Sequence, residues 1–90
     1  MTVSTIIKQV VGGKGALLIR DRKEEHVKGS AWQYDVKPNW TGNKKRWVYI
    51  DLFTASAMLT VFNALGDENK AKYDKVHIDR LIGFTWKHIK

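Results

Sequence analysis

Cysteine is absent from this chain, and proline occurs once, at Pro38. Without cysteine there can be no disulfide framework, no thiolate nucleophile and no cysteine-ligated zinc site. No apolar run approaches 18 residues, and the first residues lack the basic and apolar regions of a secretory signal. We therefore expect a cytoplasmic protein with no membrane partner.

The content of apolar residues indicates one folded unit. Leu, Ile, Val and Phe make up 24 of the 90 residues, which is more than the roughly one fifth below which charged chains stay disordered. No repeat and no change of composition divides the chain. We expect a single domain over residues 1–90.

The charge balance is basic, with 16 Lys and Arg against 9 Asp and Glu and a net charge of +7. A positive field of this kind favours polyanions, either nucleic acid or an acidic protein surface. The charge is spread along the chain, so a basic surface has to be assembled by the fold. The competing interpretation is that the excess only maintains solubility.

The first half of the chain reads as a helix followed by three strands. Apolar residues from Val3 to Val11 follow helical spacing before Gly12, although their β-branched side chains favour a strand. Residues 16–22 resemble a short buried strand. Residues 32–36 alternate between apolar and polar until Pro38, which places the end of that strand at an edge or in a loop. Residues 46–52 return after a turn at 41–43, which predicts a three-stranded antiparallel meander.

In the second half of the chain, apolar residues recur with helical spacing. Residues 54–65 form an apolar stripe that Asp51 or Thr54 can cap, residues 67–75 form a short polar helix, and residues 78–89 form a third stripe. The predicted class is α+β, with the meander packed against helices in the order α-βββ-ααα. Helix 54–65 is apolar around more than half of its circumference, so it needs a second partner, either helix 78–89 or another subunit in a homodimer.

We find no constellation for catalysis, metal binding or a cofactor. The turn at residues 12–15 lacks the phosphate-loop spacing, and three histidines without a paired helical motif are too few for a closed zinc site. Ser30 follows a glycine but lacks the nucleophile-elbow pattern. The adjacent carboxylates lie in charged segments where nothing would raise a pKa. We therefore expect a protein that is not an enzyme.

Aromatic and basic residues cluster in residues 32–49. Cations neutralise phosphates, and exposed rings stack on bases. If Val48, Ile50 and Leu52 face the core, then Trp47 and Tyr49 face outwards. A tight turn at 41–42 would pair Tyr34 with Tyr49. The alternative is that these rings belong to the core. The predicted contact residues of a basic, aromatic hairpin are Lys37, Trp40, Lys44, Lys45, Arg46, Trp47 and Tyr49.

A second, weaker candidate is a helix-turn-helix in residues 54–89, with the lysines of the short middle helix facing DNA. These lysines are Lys70, Lys72 and Lys75.

One resemblance bears on the biological setting. The segments YIDLFTASAMLTVFNAL at residues 49–65 and LIGFTWKHIK at 81–90 resemble short accessory proteins encoded by phages and mobile elements. The resemblance implies a role in host interaction or DNA metabolism and assigns no functional residue.

Two functions follow as hypotheses. The first is a nucleic-acid-binding accessory protein, with DNA favoured as the partner. The second is a small inhibitor or adaptor that binds an acidic protein through the same cluster, because Trp, Tyr and Arg are common in interface hot spots.

Overall fold

The structure is a computed structural model that describes residues 1–22, 26–40, 42 and 45–88. Within these ranges the chain forms four helices and three strands, which confirms the α+β class and the order α-βββ-ααα. The elements are α1 (Val3–Gln9), a π-helical turn (Val10–Lys14), β1 (Leu17–Asp21), β2 (Tyr34–Pro38), β3 (Val48–Ile50), α2 (Leu52–Asn63), α3 (Asp67–Tyr73) and α4 (Ile78–His88).

The N-terminal segment is a helix, so its apolar periodicity outweighs its β-branched composition. Val3, Ile6 and Ile7 are completely buried. The turn that follows ends near Gly13, whose φ of 120° is readily reached only by glycine. The start of α1 is capped from a distance, because the Asp74 carboxylate accepts hydrogen bonds from the Ser4 amide at 2.8 Å and the Ser4 hydroxyl at 2.6 Å.

The strands are antiparallel, but they are not a meander. Their order is β2-β1-β3, so β1 lies in the centre and pairs with both of the others. The predicted pairing of Tyr34 with Tyr49 is wrong, since Tyr34 pairs with Asp21 and Tyr49 pairs with Leu18. The physical reason lies in β1, whose consecutive apolar residues are buried on both faces of the sheet, as is typical of a central strand.

The strand order makes residues 39–47 a connection between two strands that do not pair with each other. Because β2 and β3 both run antiparallel to β1, they run in the same direction, and the segment between them is a crossover and not a hairpin. Pro38 lies at the end of edge strand β2, as predicted. The predicted turn residues Thr41 and Asn43 lie outside the described residues.

Only some of the residues that were predicted to face the core from β3 are buried. Ile50 is completely buried, whereas Val48 is 36% exposed. Leu52 is also exposed, because the chain has already left the sheet and entered α2. Asp51 caps that helix by accepting a hydrogen bond from the Thr54 amide at 2.7 Å, and this bond lowers the pKa of the Asp51 carboxyl.

The helices cover one face of the sheet. Leu17, Ile19 and Ile50 share one core with apolar residues of all four helices. Helix α4 supplies the second partner that α2 needs, although Phe53 at the start of α2 stays exposed and stacks on Trp86 with ring centroids 5.6 Å apart. Homodimerisation stays a prediction. None of the helices in the described ranges has the length and apolarity needed to cross a membrane.

Candidate nucleic-acid interface

The face of the sheet opposite the helices forms the candidate interface, which we call the outer face. Side chains alternate along a strand, so with Leu17 and Ile19 in the core, Leu18 and Arg20 lie on the outer face. The register places the remaining outer residues beside them: Lys37 and Asp35 from β2, and Tyr49 from β3.

Trp47 lies across this face between two cations. The Arg20 guanidinium carbon is 4.5 Å and the Lys37 Nζ is 4.4 Å from the centre of the Trp47 ring. These are cation–π distances. Leu18 is only 2% exposed although it points away from the helical core. Other side chains on the outer face therefore cover Leu18. Trp47 is therefore a fixed part of the surface.

A pair of salt bridges holds the neighbouring cations. Asp35 accepts from the Arg20 Nε at 3.3 Å, and its other oxygen is 3.8 Å from the Arg22 Nε. All three side chains are about one third or more exposed, so each contact stabilises the fold by less than about 1 kcal/mol. The main effect of these contacts is to fix the position of Arg20, which lies between the Asp35 carboxylate and the Trp47 indole.

Exposed rings and charges are also present in β3 and in the crossover segment. Trp40 is 76% exposed and Tyr49 is 54% exposed. Gly42 lies beside the Lys37 ammonium, which a Cβ atom placed on that glycine would approach to 3.6 Å. Arg46 is exposed and has a φ of 69°, a left-handed conformation that few residues other than glycine adopt.

The structure brings three of the predicted contact residues, Lys37, Trp47 and Tyr49, to the outer face, by a different route from the one expected. Trp40 and Lys45 lie on the crossover between β2 and β3. Arg46 lines a small cavity with Tyr34 and Asp79, beside the start of α4 and not on the outer face. The predicted basic hairpin is wrong, because β2 and β3 are separated by β1. Lys44 lies outside the described residues.

The other predicted lysines belong to the helical layer. Lys70 and Lys72 are on α3, and Lys75 follows it. The Lys72 Nζ is 3.2 Å from a Glu68 carboxylate oxygen, and the Lys70 Nζ is 5.8 Å from the centre of the Phe62 ring. Because the helices pack on the inner face of the sheet, these lysines do not join the outer face.

Sequence reasoning missed Arg20, Arg22 and Asp35 as members of this surface. The signal was present in the alternation of β1, where Arg20 follows Ile19 and must share a face with Leu18. The predicted site did not include Arg20 because the aromatic cluster begins only at Trp32. The predicted strand order also did not place β1 between the other two strands.

The histidines serve local structure. The His77 Nδ1 accepts from the Asp79 amide at 3.3 Å, and its Nε2 is 2.8 Å from an Asp21 oxygen, which joins the end of β1 to the start of α4. His26 stacks on Trp32 with ring centroids 3.6 Å apart. Across the described ranges, no group of three or more His, Asp or Glu side chains is arranged to hold a metal ion.

Comparison with known proteins adds no family to this description. No protein-family model, no curated protein and no solved structure matches the chain. The function is therefore argued from the geometry of the outer face.

Proposed function

We propose that this chain is a non-enzymatic, cytoplasmic accessory protein that binds single-stranded nucleic acid on the outer face of its sheet. One observation carries the proposal: exposed aromatic rings and cations share a single surface, while the opposite face of the same sheet is the protein core. On this surface Tyr49 offers ring area for stacking and Trp47 is held by Arg20 and Lys37, and Trp40 is an exposed ring on the crossover.

The exposed rings favour a single strand over a duplex. Bases in a duplex are stacked on one another, whereas unpaired bases can be turned out and stacked on aromatic side chains. Stacking tolerates any sequence, since every base has a π face, and it contributes about 1–3 kcal/mol per base. Trp40 and Tyr49 would each stack on one nucleobase, and Trp47 would stay fixed within the protein surface.

The charges of the surface suit a sugar–phosphate backbone. The outer face carries Arg20 and Lys37, with Arg22 just past the end of β1 and the exposed Lys45 on the crossover, and Asp35 is the carboxylate that pairs with the two arginines. Each phosphate that a cation neutralises releases counterions, so the affinity would fall steeply as salt concentration rises. The resemblance to phage and mobile-element accessory proteins agrees with a role in DNA metabolism, and we favour DNA as the partner.

The experiment is a fluorescence-anisotropy titration of a labelled 20-nucleotide single strand, its duplex and the matching RNA at low salt. We expect the protein to prefer single strands. Trp40→Ala and Tyr49→Ala should each weaken binding about fivefold or more, because one stacked base contributes at least about 1 kcal/mol. Absence of binding to every probe at low salt contradicts the proposal.

A charge-matched pair of variants tests the location of the site. Lys37→Gln combined with Lys45→Gln should lower the slope of log affinity against log salt by about 1.4, since each phosphate contact on a single strand contributes about 0.7. Lys8→Gln combined with Lys87→Gln removes the same charge from exposed positions on α1 and α4 and should leave the slope unchanged. Equal effects of the two pairs would mean that only net charge matters.

The alternative partner, an acidic protein, would use the same cations. A nuclease-treated pull-down separates the two functions: a stoichiometric acidic protein that survives the treatment, together with no preference for single strands, favours the protein-binding function.

A further inference from the structure

We propose that a groove between α3 and α4 binds a small amphipathic carboxylate, meaning a molecule with an apolar body and one acid group. The groove has a volume of about 550 Å³ and lies on the helical side of the molecule, away from the outer face of the sheet. This volume falls within the range of about 300–1,000 Å³ that is typical of small-molecule sites. The proposal is independent of nucleic-acid binding.

The walls of the groove are mainly apolar. Leu65, Val76, Leu81 and Phe84 line it together with the ring of Tyr73. Phe84 is 39% exposed and its ring also contacts His88, with ring centroids 4.1 Å apart. An apolar ligand body would remove this surface from water, and that burial is the main source of affinity in such sites.

The charges around the groove select the sign of the ligand. Lys72 on α3 and Arg80 on α4 both line the groove, and its lining includes no carboxylate among the residues that the structure describes. Lys72 is already paired with Glu68, whereas Arg80 forms no ion pair with any residue in the described part of the chain. A guanidinium can hold a carboxylate through two parallel hydrogen bonds, so Arg80 is the group expected to bind the acid.

Tyr73 contributes apolar surface to the groove and not a polar contact. The residue lines the groove, but it is only 4% exposed and its hydroxyl is closed to solvent. The acid group of a ligand is therefore expected at Arg80, and the body of the ligand along the apolar wall.

The test uses decanoate as the acidic probe and decanol as its neutral counterpart, each titrated into the ¹⁵N-labelled protein and followed by NMR. We expect decanoate to shift the amides of Val76, Arg80 and Phe84 and to bind more tightly than decanol. Arg80→Gln should weaken decanoate binding about fivefold, as expected for one exposed ion pair, and leave decanol binding unchanged.

Two further variants keep the proposal falsifiable. Phe84→Ser replaces a partly exposed wall residue and should weaken both probes. Lys87→Gln removes a cation from the same helix at a position that does not line the groove, and it should change neither affinity. The proposal is overturned if decanoate does not bind, if its shifts map outside the groove, or if Arg80→Gln binds both probes as the unmodified chain does.

Discussion

Two buried tyrosines give the sharpest test of the packing, because their hydroxyls differ in one respect. Tyr34 is 1% exposed and Tyr73 is 4% exposed. The Tyr34 hydroxyl accepts a hydrogen bond from the Ile78 amide at 2.9 Å, whereas the Tyr73 hydroxyl has no partner among the described residues. Replacement by phenylalanine removes the same atom in both cases, so the difference between the two variants isolates the hydrogen bond.

The expected effects have opposite signs. Tyr34→Phe leaves the buried Ile78 amide without an acceptor at the start of α4 and should lower the free energy of unfolding by about 1–3 kcal/mol. Tyr73→Phe removes a polar group that gains nothing from being buried, so the free energy of unfolding should stay the same or rise by about 1 kcal/mol.

Urea denaturation at pH 7, followed by tryptophan fluorescence, measures both changes. For a domain of this size, 1 kcal/mol also corresponds to about 4–8 °C in Tm, so thermal unfolding provides a second readout. The slope against urea should match that of the unmodified chain, which shows that the change lies in the folded state. Equal losses of stability in the two variants would refute the reasoning, because the partnered and unpartnered hydroxyls would then be equivalent.

Three further predictions concern stability. Burial raises the pKa of both Tyr34 and Tyr73 to about 12, so the unfolded chain releases these protons from about pH 10 while the folded chain keeps them. The contribution of these tyrosines to the free energy of unfolding in urea should therefore be constant below pH 10 and fall towards pH 12, by about 3 kcal/mol per tyrosine; a flat profile between pH 10 and 12 contradicts this. Asp74→Ala should cost about 2–3 kcal/mol in urea unfolding through the lost bonds from Ser4, and Asp74→Asn clearly less; equal losses would exclude the role of charge. Arg46→Gly should raise the free energy of unfolding by about 1 kcal/mol, because glycine relieves the positive φ; a loss would show that the arginine side chain stabilises its own turn.

The sequence was sufficient for the elements because these depend mainly on neighbouring residues. The spacing of Val3, Ile6 and Ile7 predicted α1, and Asp51 was one of two predicted caps of α2, with Thr54, because its carboxylate reaches amides only three residues away. Pro38 was rightly placed at an edge, since it lacks a donor for a second neighbour.

The strand order could not be predicted because it depends on competition between distant segments. A turn signal at residues 41–43 favours pairing of β2 with β3, but both strands gain more by pairing with β1, whose Leu18 and Ile19 bury apolar surface on two faces. The position of Arg20 in the candidate site follows from this order, so it was missed together with it.

The central claim is that exposed rings of the outer face stack on unpaired bases. The most direct measurement uses a chain in which Trp32 and Trp86 are replaced by phenylalanine, so that fluorescence reports only Trp40 and Trp47. Addition of single-stranded oligothymidylate at low salt should quench this fluorescence, and raising the salt concentration should restore it. An oligonucleotide that binds, as judged by anisotropy, while the emission of these two tryptophans stays constant would place the nucleic acid elsewhere and contradict the account.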